Sequence, residues 1–377
     1  MSAFGIYVHW PYCAHICPYC DFNVYRARDT DPAPLLAAIE ADIAAHAARF
    51  GKREATSLFF GGGTPSLLRG AEIARLIDAA QRAFGLAADC EITLEANPED
   101  AQLFAEQTAA GVNRLSVGVQ ALDDAALKAL GRWHDAAAGA RAVESAAKTG
   151  ARVSIDLIYA REGQSVADWR AELNRALALP IEHASLYQLT IEPNTAFARK
   201  VAHGMLHPPE SEAAADLYEA TQEIAEAAGF PAYEISNHAR QSSARARHNL
   251  VYWHSDEWVG VGPGAHGRMA RDGVRLALEA QRQPKDYVDA VRESGVGWFA
   301  ETPLTPAESA DEMLIMGLRV EEGLSLARLE ALRGAPINRR ALSWLIEQGF
   351  VMQAGDAISL TRAGRAVANK IAAELAS

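Results

Sequence analysis

Short apolar runs alternate with longer segments of helical periodicity over about the first two thirds of the chain. The longer segments are rich in Ala, Leu, Glu and Arg, for example at residues 34–50, 71–84 and 166–179. This alternation is typical of strand–helix units that build a parallel sheet. The pattern therefore predicts an α/β fold, an incomplete (βα)6 barrel, with strands at residues 4–9, 57–60, 91–95, 114–118, 153–159 and 184–190.

Polar residues gather where these predicted strands end. Residues 61–66 follow the second strand, Asn97 the third and Gln120 the fourth, while Asp156 lies within the fifth. In barrels of this kind the rim at the carboxyl ends of the strands carries the chemistry. We therefore expect the functional site at that rim.

The pattern changes beyond about residue 208. A helix is followed there by a loop with several His and Trp residues and by a Gly-rich turn, which predicts a lid over the barrel. After residue 305 the chain becomes helical, and residues 338–348, 350–354 and 358–361 predict a helix followed by a small hairpin. The predicted domains are a barrel over 1–230, a lid and binding segment over 231–300, and a helical, winged-helix-like domain over 301–377.

Composition and charge narrow the classes of function. A net charge of −12 disfavours non-specific binding to nucleic acid, which needs a basic surface. No run approaches the roughly 20 apolar residues that span a bilayer, and MSAFGIYVHW lacks the basic and apolar regions of a targeting peptide. We expect a cytoplasmic protein with no nucleic-acid partner.

Three of the four cysteines lie close together. Cys13, Cys17 and Cys20 form a C-x3-C-x2-C loop directly after the first predicted strand, whereas the isolated Cys90 is expected to be a small buried residue. Crowded thiols in a reducing cytoplasm indicate a metal site rather than disulfides. Because an iron–sulfur cluster normally takes four thiolates, three of them leave one iron open to a small molecule. A structural zinc site completed by His9 or His15 is the alternative.

The segment HWPYCAHICPYCDF resembles the signature of the radical S-adenosylmethionine superfamily. The resemblance implies a radical-SAM-type barrel, a [4Fe-4S] cluster on the three cysteines, and S-adenosyl-L-methionine chelated at the open iron. It places Tyr19 near the adenine, with plain packing beside the loop as the alternative. Gly62, Gly63 and Thr64 in FGGGTPS resemble the loop that meets the methionine amino group, since glycines let a ligand approach the main chain. Tyr7 in the first strand is included among the cofactor contacts.

Further motifs resemble the porphyrin-related branch of that superfamily. Glu95 stands in ITLEANPE, Gln120 in NRLSVGVQ, Arg132 in LGRWH and Asp156 in SIDLIY. The resemblance covers most of the chain and implies that all four contact S-adenosylmethionine, the acids at its ribose and ammonium and the other two at its polar atoms. Taken singly, each residue is also compatible with a surface ion pair.

The Gly-rich turn at residues 262–267, GPGAHG, spells G-x-G-x-x-G. We reject a dinucleotide fingerprint because that motif requires an opening strand–helix unit with an acidic residue about 20 positions later. The same stretch is similar to one in HemW-like proteins, which implies that the backbone near Ala265 closes over the cofactor.

Two families of this branch compete. The oxygen-independent coproporphyrinogen III oxidase HemN has another Cys two residues after the third ligand, where this chain has Phe22, and an extension ahead of its cluster. The segment RHNLVYW instead matches the HNxxYW motif associated with heme binding in HemW-like heme chaperones. That resemblance implies heme with His248 or Tyr252 as iron ligand. A structural role for His248, in which it hydrogen-bonds the lid, is the alternative.

The HemW-like resemblance implies a chaperone that delivers heme to acceptor proteins, some of them membrane-associated, and that meets an electron donor if its cluster is reduced. No catalytic residue is assigned, and oxidase activity is in doubt. The alternatives are a coproporphyrinogen dehydrogenase and a purely structural zinc or iron–sulfur protein that binds a partner through its C-terminal part.

One stretch departs from the family pattern. The usual Gly-Leu-Pro-Gly-Gln-Thr run after the Asp156 strand is replaced by AREGQS at residues 160–165. Arg161 and Glu162 add charge at the predicted rim. We therefore expect a different loop geometry, with altered substrate access or cofactor affinity.

Overall fold

The computed structural model describes residues 3–27 and 31–376, so the outer limits of the first and last predicted domains, residues 1 and 377, lie outside it. Its strands are β1 (Phe4–Trp10), β2 (Tyr12–Cys13), β3 (Tyr25–Arg26), β4 (Ala55–Gly62), β5 (Leu86–Ala96), β6 (Arg114–Gln120), β7 (Arg152–Tyr159), β8 (His183–Gln188), β9 (Asn237–Ala239), β10 (Glu257–Val261), β11 (His266–Arg271), β12 (Val274–Ala280), β13 (Trp298–Pro303), β14 (Leu324–Ser325), β15 (Val351–Ala354) and β16 (Ala357–Leu360).

Helices cover the sheet and build the C-terminal part. Several begin at a side-chain cap: Asp123, Asp135 and Ser165 each accept the backbone N–H three residues on. The helices are α1 (Ala33–Phe50), α2 (Gly70–Ala83), α3 (Phe104–Ala109), α4 (Asp124–Ala129), α5 (Ala136–Lys148), α6 (Val166–Leu177), α7 (Ala196–Ala202), α8 (Ser211–Ala227), α9 (Arg247–Trp253), α10 (Pro284–Ser294), α11 (Pro306–Gly317), α12 (Leu326–Arg333), α13 (Arg339–Glu347), α14 (Arg362–Arg365) and α15 (Ala368–Ala376).

Within the described residues, eleven strands form one sheet in the order β13-β12-β11-β10-β1-β4-β5-β6-β7-β8-β9. The six predicted strands are β1 and β4 to β8, and they pair with one another in parallel, whereas β9 pairs with β8 in the antiparallel sense. Parallel strands are buried on both faces, which explains their nearly continuous apolar runs. The α/β prediction is confirmed, and the sheet runs from β13 at one edge to β9 at the other.

Residues 231–300, predicted as a lid and binding segment, extend the large sheet. They supply β9 to β12 and the start of β13, and β10 pairs in parallel with β1 on the side opposite β4. Val259 and Val261 in β10 are fully buried. The preceding helix α9 is anchored by the Glu91 carboxylate, which accepts the backbone N–H groups of Arg247 and His248 at 2.8 and 3.3 Å. This segment extends the sheet because its apolar strand completes the far side of β1.

The C-terminal part has an apolar core of its own, which includes Leu314, Leu345 and Ile358. A three-stranded sheet in the order β14-β16-β15 packs with α11 to α15. The helix and hairpin predicted here are α13, β15 and β16. A bidentate ion pair between Arg268 of β11 and Glu312 of α11 joins this part to the large sheet. The division of the chain into three domains stays a prediction.

Among the described helices, none is both long enough and apolar enough to cross a lipid bilayer.

Candidate functional site

The cysteine loop lies at the carboxyl end of β1. It is held by the short parallel pair β2 and β3 and by a turn in which the Cys20 N–H donates to the Cys17 carbonyl at 3.2 Å. Cys13 is buried, whereas Cys17 and Cys20 are partly exposed. All three line a cavity of about 620 Å³, which we call the first cavity. The three thiols predicted to hold a cluster therefore face one space.

Two of the three thiols, Cys13 and Cys20, have pKa values above the ordinary value for cysteine. Burial raises the pKa of the Cys20 thiol to about 12 and that of Cys13 above its ordinary value. Arg132 donates to the Cys17 sulfur at 3.6 Å and supplies a nearby positive charge. A bound cation such as iron would favour the ionised form of Cys13 and Cys20.

The histidines suggested as a fourth zinc ligand have other contacts. Both ring nitrogens of His9 are hydrogen-bonded, to the Tyr7 hydroxyl at 3.0 Å and to the Asn23 carbonyl at 2.9 Å. The ring of His15 packs at a tilt against Trp133, with 4.9 Å between ring centroids. In the described part of the chain, no three His, Cys, Asp or Glu side chains are grouped around a position for a single metal ion.

The glycine loop after β4 presents bare backbone to the first cavity. Gly62 has φ of +103°, and a Cβ there would lie 2.5 Å from the His9 ring. A Cβ on Gly63 would lie 2.8 Å from the backbone of residues 10–12. The Gly62 N–H donates to Glu95 at 3.1 Å, and Thr64 accepts from the Asn97 amide at 3.2 Å. The loop therefore needs glycine for both its backbone conformation and its packing.

Two buried carboxyl groups face the first cavity from β5 and β7. Burial raises the pKa of Glu95 to about 8, and the neighbouring Asp156 adds to the rise. Burial also raises the pKa of Asp156 to about 6, opposed by hydrogen bonds from Ser185 and Ser116. The Ser116 hydroxyl donates to Asp156 at 3.1 Å. A cationic ligand would favour the ionised form of both groups, so the pair suits a ligand with ammonium and sulfonium charges.

Arg132 connects the cysteine loop to the strand ends. It donates to the Asn97 side chain at 2.6 Å and to the Gly118 carbonyl at 3.1 Å, and its Nε is buried without a partner among the described residues. Gln120, which ends β6, has φ of +66°. Such a conformation costs energy in a residue with a side chain and is often kept at ligand sites. Gln120, Arg132 and Tyr19 all line the first cavity, and their contact with S-adenosylmethionine stays a prediction.

Sequence reasoning missed the polar floor of the first cavity. Thr93 Oγ1 and one terminal nitrogen of Arg114 are buried there, both without a partner in the described part of the chain. Ser154 contacts the ring of His183 at 2.7 Å, and Ser185 also faces the cavity. Barrel interiors normally contain bulky apolar residues. Small polar residues at alternate positions of β5 to β8 were the available signal.

A second cavity, of about 430 Å³, adjoins the first and shares Phe22, Gly62 and Glu95 with it. Tyr7 and Tyr252, two of the predicted cofactor contacts, line this second cavity. The remaining lining residues are His9, Asn23, Trp253, Trp258, Gly264, His266 and Met316.

Ala265 and His248, the other two predicted cofactor contacts, line neither cavity. Ala265 is buried, although both of its neighbours in the chain line the second cavity. His248 is 2% exposed, and its ring contacts the Ser57 hydroxyl at 2.9 Å and the Tyr252 hydroxyl at 2.6 Å. Burial lowers its pKa to about 3. In this arrangement His248 has no unengaged nitrogen for iron, and its role as a ligand stays a prediction.

The two charged residues of the departing loop at residues 160–165 pair with other elements, Arg161 in a partly buried position and Glu162 at the surface. Arg161 forms a bidentate ion pair with the buried Glu172, which also accepts the Leu122 N–H at 2.7 Å. Glu162 accepts from the backbone and the ring of His207 at 2.7 and 3.0 Å. The added charges therefore pair with neighbouring elements, and neither residue lines the first cavity.

The Glu95 carboxyl makes folding of the ligand-free protein depend on pH. Its pKa is about 8 when folded, against 4.5 ordinarily. The stabilisation from its bound proton is complete below the unfolded pKa and is lost as pH rises through the folded one. We therefore expect the free energy of unfolding to fall between about pH 5 and pH 8, and Glu95→Gln to flatten this slope. Urea titrations across that range measure it, and equal slopes in both proteins would contradict the assignment.

Two segments of the chain match known protein families. Residues 7–176 match the family model described as the radical SAM superfamily, and residues 304–367 match the HemN C-terminal domain. Among solved structures, coproporphyrinogen III oxidase (HemN) from Escherichia coli covers 100% of this chain with 90% of its own, at a TM-score of 0.83 and 24% identity. At that identity the likeness shows the fold.

Several proteins of known family are similar to this chain over most of their length. The chain is 34% identical to heme chaperone HemW of Bacillus subtilis, covering 97% of each protein. It is 33% identical to heme chaperone HemW of Escherichia coli, over 97% of this chain and 96% of that one. It is also 40% identical to the mitochondrial radical S-adenosyl methionine domain-containing protein 1 of Bos taurus, over 85% of this chain and 74% of that one. The chain therefore belongs to the HemW family within the radical S-adenosylmethionine superfamily.

Proposed function

We propose that this protein is a heme chaperone: it binds a [4Fe-4S] cluster, S-adenosylmethionine and heme, and it passes the heme to acceptor proteins. Full-length similarity to HemW proteins supports this function. The observation that carries it is the position of α9, which contains the HNLVYW segment. This helix presents Asn249 to the first cavity and Tyr252 to the second, so one short motif contacts both spaces.

The first cavity suits the cluster and the nucleotide. Cys13, Cys17 and Cys20 would hold three irons, and the Gly62–Gly63 backbone would accommodate the methionine end of S-adenosylmethionine. Glu95 and Asp156 would balance its positive charge, and Arg132 with Gln120 would bind its polar atoms. A reduced cluster of this type can supply an electron that cleaves the sulfonium. The protein's own contribution is to bind, orient and shield the nucleotide, and no catalytic residue is proposed.

Phe22 favours the chaperone over the oxidase. It occupies the position of the further Cys that distinguishes HemN, and its side chain is 62% exposed at the boundary of the two cavities. An aromatic ring at that point provides a contact surface for a flat ligand. Coproporphyrinogen dehydrogenation is therefore the second candidate function.

The remaining partners are also proposals. We propose a cytoplasmic location, an electron donor that reduces the cluster, and acceptors that include membrane-associated proteins. The acidic net charge of −12 supports the absence of a nucleic-acid partner.

Heme titration tests the proposed function. The protein is reconstituted anaerobically with iron and sulfide, supplied with S-adenosylmethionine and titrated with hemin while difference spectra are recorded. We expect a saturable heme complex of defined stoichiometry and transfer of the heme to an apo-cytochrome. Absence of any complex would overturn the proposal.

Two further assays separate the alternatives. Conversion of coproporphyrinogen III to protoporphyrinogen under reducing, oxygen-free conditions would establish the oxidase. Failure to retain S-adenosylmethionine in equilibrium dialysis, together with zinc in place of iron and sulfide, would establish a structural metal protein. We expect neither result.

A further inference from the structure

The second cavity has the composition of a site for a flat aromatic ligand. Its volume of about 430 Å³ lies within the range of small-molecule pockets. Phe22, Trp253 and Trp258 supply aromatic wall, and the rings of Tyr252 and Trp258 contact each other edge to face at 4.7 Å. The indole nitrogen of Trp253 is buried with no acceptor in the described part of the chain. A ligand that carries an acceptor, such as a carboxylate, would satisfy that donor.

The side chains that can bind iron at this cavity differ in their availability. His9 lines it, but both ring nitrogens are hydrogen-bonded within the protein. Tyr252 lines it as well, and its hydroxyl is 2.6 Å from the ring of His248. His248 itself lies behind Tyr252, between that hydroxyl and Ser57. Each of these groups would have to break an existing hydrogen bond before it could bind a metal.

The ring of His266, unlike those of His9 and His248, is not held by hydrogen bonds to the described residues. His266 begins β11, lines the second cavity and is exposed. Neither of its ring nitrogens has a hydrogen-bond partner among the described residues, while its backbone carbonyl accepts from the Trp258 indole at 3.0 Å. That contact and the β11–β12 pairing fix the backbone from which the ring projects. His266 is thus held in place with its ring nitrogens unengaged.

Met316 of α11 also lines the second cavity, so the C-terminal part of the chain contributes a thioether to it. The position of α11 is set by the ion pair between Glu312 and Arg268, two residues after His266 in β11. Imidazole and thioether are both ligands of heme iron in proteins.

We propose that heme binds in the second cavity and that His266, rather than His248, is the protein's ligand to its iron. This inference rests on the proposed function, because it assigns the site and the ligand of the same heme. The porphyrin ring packs against Phe22, Trp253 and Trp258, and a propionate of the heme accepts from the Trp253 indole. Met316 lies at the same cavity as a candidate second axial ligand.

This site has a consequence for heme transfer. Because His266 is exposed, the iron bound to it lies near the surface, where a side chain of an acceptor protein can replace His266 as the ligand. The two cavities share Phe22, Gly62 and Glu95, so a molecule in the first cavity lies against residues that also form the wall of the second. We therefore expect S-adenosylmethionine to change heme affinity through this shared wall.

Anaerobic titration of the reconstituted full-length protein with hemin tests the assignment. We expect His266→Ala to weaken heme binding by about 10-fold or more and to shift the Soret band. Added imidazole should restore the wild-type spectrum, because it enters the space left by the side chain. The matched control is His203→Ala, which removes another exposed histidine that lines neither cavity. It should bind heme like the wild type.

The outcomes separate this inference from the proposed function. If the wild type binds heme and His266→Ala binds it with the same affinity and spectrum, the ligand assignment is wrong and the chaperone function stands. If Tyr252→Phe alone abolishes the wild-type spectrum, Tyr252 is the ligand and the assignment is again wrong. If the wild type binds no heme, both proposals fail. His266 makes no side-chain hydrogen bond among the described residues, so its replacement should leave the circular dichroism spectrum unchanged.

Discussion

Replacing Cys17 by Ala should remove the iron–sulfur cluster completely. The cluster loop offers three thiols to the first cavity, and the loss of one leaves two irons without a protein ligand. Cys17 is partly exposed and Arg132 already binds Asn97 and Gly118, so the fold should not depend on this thiol. Iron and sulfide analysis after anaerobic reconstitution, with the visible absorption of the cluster, measures the effect. S-adenosylmethionine binding should be lost with it.

Cys90 provides the matched control for that experiment. It is a buried cysteine in β5, lines neither cavity and makes only a weak sulfur contact at 3.8 Å with the Glu91 carbonyl. Cys90→Ala should retain the full iron and sulfide content. Full cluster content in the Cys17→Ala protein, or equal loss in both variants, would show that the three-cysteine assignment is wrong.

Replacing Gly62 by Ala should destabilise the protein and empty the S-adenosylmethionine site. A residue with a Cβ pays about 1–2 kcal/mol for a left-handed backbone conformation. The new methyl group would also lie 2.5 Å from the His9 ring, which cannot move without breaking hydrogen bonds to Tyr7 and Asn23. Overpacking of that kind adds about 1–3 kcal/mol. Urea denaturation gives the stability, and equilibrium dialysis gives the retained S-adenosylmethionine.

Replacing Gly85 by Ala separates the cost of the backbone conformation from the cost of overpacking. It has φ of +88°, close to that of Gly62, but no atom lies within 4 Å of the position of its Cβ. Gly85→Ala should therefore show the backbone cost alone and keep its affinity for S-adenosylmethionine. If the two variants were equally stable and bound the nucleotide equally well, the close packing of Gly62 against His9 would have no functional role.

The six strands of the barrel were predictable because their signal is local. Each is a run of apolar residues bounded by turns, and each is followed by a segment of helical periodicity, so neighbours in the sequence suffice to identify them. The strand β10 was missed for the opposite reason. It is five residues long and takes its place through pairing with β1, more than 250 positions earlier in the chain. Nothing in its own neighbourhood distinguishes a sheet strand from part of a lid.

Most of the residues that the fold gathers at the first cavity could be identified from the sequence alone. Each of these motifs, namely the cysteine loop, the glycine loop and the polar residues at strand ends, lies at the end of one strand. Parallel strands bring their carboxyl ends to the same edge of the sheet, so the motifs meet there whatever the details of packing. The polar floor around Thr93 and Arg114 was less visible, because it depends on which face of each strand points inward.

Which histidine has ring nitrogens available to a ligand depends on contacts that form in the folded protein. HNLVYW draws attention to His248, yet that ring contacts Ser57, which lies far away in the sequence, and is buried behind Tyr252. His266, which lies in the G-x-G-x-x-G segment, is instead exposed and lines the second cavity. A motif records which residue types are present, whereas burial and the partners of each nitrogen arise from contacts between distant segments. The residues proposed for the cluster could therefore be named from the sequence, whereas the heme site proposed here required the fold.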